Sequence, residues 1–153
     1  MEMINKIVLA FSMYVLCLNN VYTAEINTKN ISEDINCLAK NIYSEARGES
    51  LAGKLAVASV VINRMRLKEY PNSICKVVYQ DNQFSWTTKT IKINDKVSWD
   101  NIVKLSKDIL NGKFKLNKHI THFHSIDVTP KWSVTLTKEI VIGNHIFYSN
   151  KST

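Results

Sequence analysis

The chain has 153 residues, 45% of them hydrophobic, and a formal net charge of +7 at pH 7. That length accommodates one domain with a real core and leaves no room for a second large one. Apart from Arg47, Arg64 and Arg66 its basic residues are all lysine, a general attraction to polyanions such as anionic wall, anionic lipid or nucleic acid, with no basic cluster that singles one out. The first 24 residues stand apart. Lys6 precedes the apolar run IVLAFSMYVLCL, and the stretch ends on the small residue Ala24. The run is too short for a membrane span and fits a secretory signal peptide over residues 1–24, cut after Ala24. Tyr22 is an unusual residue so close to a cut, and a retained N-terminal anchor is the competing reading. Removing the leader takes away Glu2 and Lys6 together, so the positive charge survives. The expected product is one exported domain, residues 25–153, in the periplasm, wall or extracellular space.

In chain order, residues 25–31 are polar and read as loose. Ser32 followed by Glu33 and Asp34 reads as a helix cap with an acidic first turn. Ile35, Leu38, Ala39, Ile42 and Ala46 then keep helical spacing, and Gly48 suits the end. Leu51 to Met65 is apolar nearly all round and reads as a buried central helix ending at Arg64 and Arg66. Pro71-Asn72-Ser73 opens a short helical turn, followed by an irregular stretch from Asp81 to Lys96. Ser98 is expected to start another helix, with Ile102, Leu105, Ile109 and Leu110 on one face and Gly112 beyond its end. After that the period changes to two. Residues 119–126 read as a strand, and Glu139–Ile142 with His145–Tyr148 as a hairpin around Gly143-Asn144. Helices first and a small antiparallel sheet last make an α+β class.

Within the first helix, Glu45 lies seven residues after Leu38 and three after Ile42, which puts a carboxylate on the apolar stripe. It also falls in the last turn, where the helix dipole is negative. Desolvation and the dipole both disfavour the ionised form and raise the pKa. A carboxylic acid kept protonated near neutral pH is what a general acid requires. A Glu at a fraying helix end, turned out to water, is the plain alternative. Glu49 follows Gly48 in the loop and reads as structural, paired with Arg47 or Arg64.

The segment Ala39 to Glu49 (AKNIYSEARGE), then Val57 to Arg64 (VASVVINR), Tyr70 to Ile74 (YPNSI), Gln83 to Trp86 (QFSW), Thr121 to His124 (THFH), Pro130-x-Trp132 and Ile142 to Phe147 (IGNHIF) resembles the SleB/CwlJ-type cell wall hydrolase family. The resemblance covers about residues 35–149. It implies a lysozyme- or transglycosylase-like α+β scaffold that cleaves peptidoglycan glycan strands. It places the single catalytic acid at Glu45. Beside it, Glu49, Arg47 and Arg64 read as structural support, and Gln83, Phe84, Ser85, Trp86, Phe123, His124 and Trp132 as candidate sugar-binding residues, with core packing the alternative for the aromatics. Spore-cortex relatives carry an aromatic-Asn pair where Phe123-His124 stands, so part of the sugar-binding edge is expected to differ. The partner implied is peptidoglycan, with no nucleic acid, no cofactor, no stable membrane insertion after leader removal, and a monomeric chain. The expected chemistry is lytic transglycosylation between N-acetylmuramic acid and N-acetylglucosamine, which needs one carboxylate, with hydrolytic muramidase action as its close variant.

Two cysteines remain after the leader, Cys37 and Cys75. In an oxidising compartment they can pair; two buried free thiols are the alternative. A metal-dependent amidase is the second enzyme reading, with His122, His124 and His145 as candidate zinc ligands beside the unaligned His119. A structural or sugar-contacting role for these histidines is the preferred one, so no metal is expected. The non-enzyme reading is a secreted basic wall-binding module, which leaves the placement of Glu45 unexplained.

Overall fold

The computed structural model describes residues 31–150. The leader, its cut after Ala24 and the N-terminal part of the polar stretch lie outside the described residues. From Asp34 onward the chain is one compact unit.

The first helix, α1, covers residues 31–46. Leu38, Ala39, Ile42 and Ala46 are buried along the expected stripe, joined by Cys37 and Tyr43. Ser32 lies inside the helix rather than at its cap, because the helix is already running at residue 31. Ser, Asp and Glu are as acceptable in a first turn as at the cap, so that signal locates a helix start only to within a residue or two. Ser50 caps α2 (Leu51–Arg66), its side chain accepting from Gly53 N at 3.3 Å. All residues from Ala56 to Arg64 of α2 are buried, which is why its sequence lacks a polar face.

Ser73 caps the short α3 (Ile74–Val78), and a single 3₁₀ turn follows at Ser85–Thr88. The next helix, α4, spans Lys96–Leu110 and begins before Ser98. Asp95 is the cap: its Oδ1 accepts from Ser98 N at 2.9 Å and its Oδ2 from Ser98 Oγ at 2.7 Å. An ionised acceptor makes the stronger cap bond, and Ser98 becomes its partner. Ile102 and Ile109 are buried, and Leu105 and Leu110 half-buried, on the expected face.

The sheet contains β1 (His122–Ser125), β2 (Thr137–Ile142) and β3 (His145–Ser149) in the order β1-β3-β2, antiparallel throughout. The first strand is shorter than the 119–126 expected, because the Asn117 side chain accepts from the backbone of His119 at 2.8 Å and Ile120 at 3.3 Å and turns the chain there. The hairpin is longer than expected on the β2 side and carries an irregularity between Lys138 and Ile140. No helix among the described residues is long and apolar enough to cross a membrane.

Two buried clusters result among the described residues. Residues from α1, α2, α3 and α4 pack into one, and Ala46, Ala56, Val57, Val60, Ile120 and Phe147 form the other beneath the sheet. Cys37 and Cys75 are joined as a disulfide with Cα atoms 5.2 Å apart, tying α1 to α3.

Gly143 takes φ +55°, and a Cβ there would fall 1.8 Å from Glu49 Oε2. Gly143→Ala is therefore expected to cost roughly 1–2 kcal/mol from the left-handed backbone alone, plus displacement of Glu49. A melting temperature within a degree of the parent would show that the turn and Glu49 adapt freely.

Candidate active site

Glu45 reaches the end of α1 where the helix passes an open cleft of about 610 Å³. Gln83, Phe84 and Ser85 line one side of it, from the loop that ends in the 3₁₀ turn. Phe123, His124 and Ser125 of β1 and His145 of β3 line the other. A smaller cavity of about 440 Å³ between Asn63, Arg66, Lys118 and Glu139 has no Phe, Tyr or Trp in its lining, so it offers no sugar-stacking face.

Among the described residues, Glu45 is the only carboxylate lining the cleft. Burial raises its pKa above the ordinary carboxylate range, and the Trp86 indole partly offsets the rise. Trp86 Nε1 is itself buried and stops short of a full hydrogen bond. The donor is thus turned toward the carboxyl without holding it ionised, and desolvation decides the direction.

Arg64 is buried and binds the two sides of the cleft together. Its Nε donates to the Thr121 carbonyl at 2.7 Å and its Nη1 to Gln83 Oε1 at 2.8 Å. The guanidinium also lies over the Tyr70 ring at 5.3 Å and the Phe84 ring at 5.9 Å. With its oxygen taken by Arg64, Gln83 keeps its amide N–H groups for the cleft. Arg47 is exposed and lies over Tyr43 at 5.4 Å, outside the cleft lining.

Glu49 pairs with neither arginine. Arg47 stacks on Tyr43 and Arg64 spends its donors on Thr121 and Gln83. Glu49 instead turns to the hairpin: its Oε1 accepts from Asn144 N at 3.4 Å and Asn144 Nδ2 at 3.2 Å, and lies 3.9 Å from His145 Nδ1.

Of the expected sugar-binding residues, the structure brings Gln83, Phe84, Ser85, Phe123 and His124 to the cleft with Glu45. Phe84 is buried, so only part of it is available. Trp86 abuts Glu45 and packs on Tyr79 at 5.9 Å and Phe84 at 6.4 Å. Trp132 is not in the cleft lining; it packs on His122 at 5.4 Å, His124 at 5.5 Å and Tyr148 at 5.6 Å.

The three strand histidines do not converge on a metal. His122 and His124 share one face of β1, whereas His145 pairs in register with Ser125 and so belongs to the other face. Both nitrogens of His124 are engaged, Nδ1 with the Ser125 carbonyl at 2.8 Å and Nε2 with the Tyr148 hydroxyl at 2.9 Å. Burial, helped by the charge of Arg64, lowers the His122 pKa to about 4. Among the described residues, no group of three His, Cys, Asp or Glu is placed to hold a metal ion. His145, for which a structural or sugar-contacting role is expected ahead of zinc ligation, stands in the cleft lining, a place that only the fold gives it.

A half-buried acid at a helix end, facing an open groove between helices and a small antiparallel sheet, defines a lysozyme-like α+β protein. The chain belongs to the Cell Wall Hydrolase family, whose model matches residues 48–148. The matched span begins just after Glu45, so the placement of the acid rests on the geometry above. The sequence is 30% identical over 115 residues to the spore cortex-lytic enzyme of Bacillus cereus, covering 74% of this chain and 43% of that protein. The chain thus spans about two fifths of the length of such relatives. The catalytic domain of the germination-specific lytic transglycosylase SleB from Bacillus anthracis superposes with a TM-score of 0.62 at 28% identity, over 76% of this chain and 93% of that one. The catalytic domain of the Bacillus cereus SleB protein gives 0.58 at 27% identity, over 76% and 89%.

Proposed function

We propose that this chain cleaves peptidoglycan glycan strands between N-acetylmuramic acid and N-acetylglucosamine as a lytic transglycosylase, with Glu45 as its acid. The observation that carries the reading is a single, desolvated carboxyl in a groove edged by aromatic and amide side chains. Two-carboxylate glycosidases keep their pair about 5–5.5 Å or about 6.5–9.5 Å apart. No second carboxylate lines this cleft among the described residues, and Glu49 is held by the hairpin.

Protonated Glu45 gives its proton to the glycosidic oxygen as the bond to C1 of the muramic acid breaks. The carboxylate so formed takes the proton of that sugar's 6-hydroxyl as its oxygen bonds to C1. Glu45 ends protonated again, and no water is consumed. Gln83 and Ser85 bind sugar hydroxyls or the acetamido group, while Phe123 and the exposed part of Phe84 offer apolar faces. Arg64 positions Gln83. In this reading residues 1–24 direct export, the monomer acts on the wall outside the cytoplasm, and neither cofactor nor nucleic acid takes part.

Digestion of purified peptidoglycan in heavy-oxygen water tests the chemistry. The expected products carry 1,6-anhydromuramic ends without label. Labelled reducing ends would make the enzyme a muramidase or glucosaminidase, new free amino groups from stem peptides would make it an amidase, and wall binding without fragments would make it a binding module.

A further inference from the structure

Two features at the junction of the cleft and the hairpin remain unused by this chemistry. The first is His145. Its ring lines the same cleft as Glu45, yet its Nδ1 is buried and has no hydrogen-bond partner. A buried donor left unpaired typically costs about 1–3 kcal/mol, so it is a feature to explain. The second is Glu49. Three consecutive hairpin residues are built around its carboxylate: Gly143 leaves the room a Cβ would take, Asn144 donates from its backbone and its side chain, and His145 Nδ1 stands 3.9 Å from Oε1. The loop after α1 and the hairpin are 95 residues apart in sequence and meet at this one carboxylate.

The ring's orientation is determined from the other side as well. Phe123 meets it edge-on, with centroids 5.2 Å apart and planes at 84°. Phe147 packs at 6.1 Å. The carboxylate facing Nδ1 selects the tautomer with the proton on that nitrogen. Nε2 is then a bare acceptor, and it is the nitrogen left for the cleft. Burial lowers the His145 pKa, opposed by Glu49, so the ring is neutral and able to accept.

We propose that His145 is a substrate-contacting catalytic residue: Nε2 accepts a hydrogen bond from the muramic acid 6-hydroxyl and aims its oxygen at C1, with Glu49 as the positioning residue that holds the ring and its tautomer. The step moves no additional proton; the hydroxyl proton still passes to Glu45 as the C1–O6 bond forms. Aiming matters because an intramolecular attack depends on near-attack geometry, where a misplacement of about 1 Å costs on the order of 10²-fold. The proposal rests on the transglycosylase reading of the cleft.

The test compares product partition and steady-state kinetics on purified peptidoglycan for the full chain. His145→Asn keeps a donor toward Glu49 and loses the nitrogen facing the cleft. His145→Gln reaches the cleft with an acceptor carbonyl. The expected result is a kcat lowered roughly tenfold to hundredfold in His145→Asn, with KM little changed and the anhydro share of products reduced in favour of water-derived reducing ends. His145→Gln should recover part of that share. Glu49→Gln, which retains an acceptor for Asn144, should shift the partition in the same direction but less. Folded His145→Asn protein with the parental anhydro share and kcat would overturn the proposal. Should these variants fail to fold, nitrogen NMR of the parent chain decides: a neutral His145 protonated on Nδ1 is required, and the Nε2–H tautomer would overturn it. Failure of the underlying reading looks different, since the parent chain would then produce no anhydro ends at all.

Discussion

Glu45→Gln protein is expected to stay folded and lose nearly all glycan cleavage. The amide preserves the shape of the carboxyl and its contact with Trp86, but has no proton to give. General acid–base catalysis contributes typically about 10²–10⁴-fold, and in the proposed reaction one group carries both halves of it. The same substitution has a stability signature. The folded pKa of Glu45 is raised by burial, so the unfolded chain releases this proton at lower pH than the folded one. Folding is favoured by the protonated carboxyl below the unfolded value, and that advantage is lost as pH rises through the raised folded value. Glu45→Gln should therefore melt no lower than the parent at neutral pH, and any gain should shrink on acidification. Activity of the parent should decline as pH rises through the Glu45 pKa, on the basic side of the ordinary carboxylate range. A folded Glu45→Gln protein that degrades peptidoglycan at near parental rate would remove Glu45 from the mechanism.

Reduction of the Cys37–Cys75 bridge is expected to give the largest loss of stability short of a core deletion. The bridge closes a loop with a sequence separation of 38. Constraint of the unfolded chain by such a loop is worth about 3–4 kcal/mol, which corresponds to a fall in melting temperature on the order of 10 °C. The location connects this to function. Cys37 sits on the helix that carries Glu45, and Cys75 on α3, which leads into the Gln83–Ser85 side of the cleft. Cleavage at elevated temperature should accordingly fail earlier after reduction than before it. Full reduction confirmed by mass, with melting unchanged, would show that packing of α1 on α3 suffices by itself.

Helix positions were largely legible in the chain because burial imposes a period. Leu38, Ile42 and Ala46 mark one face of α1, and the unbroken apolar run of α2 announces a helix surrounded by others. Cap signals were less decisive. Ser32 and Ser98 both have cap chemistry, and in both cases the helix starts earlier, since a side chain in the first turn can accept or donate as readily as one at the cap. The turn at Gly143-Asn144 was equally plain, because few sequences other than this kind tolerate a two-residue reversal.

What the sequence by itself determined was the order of elements and the position of one carboxylate on an apolar stripe, since both follow from spacing along a single helix or strand. What only the tertiary structure decided was partnership. Glu49 chose Asn144 and His145 over the arginines beside it in sequence, Arg64 spent its donors on Thr121 and Gln83, and Trp132 packed against His122, His124 and Tyr148 rather than lining the cleft. A charged or aromatic side chain takes the partner that satisfies it at least desolvation cost, and those partners are brought within reach only when the hairpin folds back onto the end of α1.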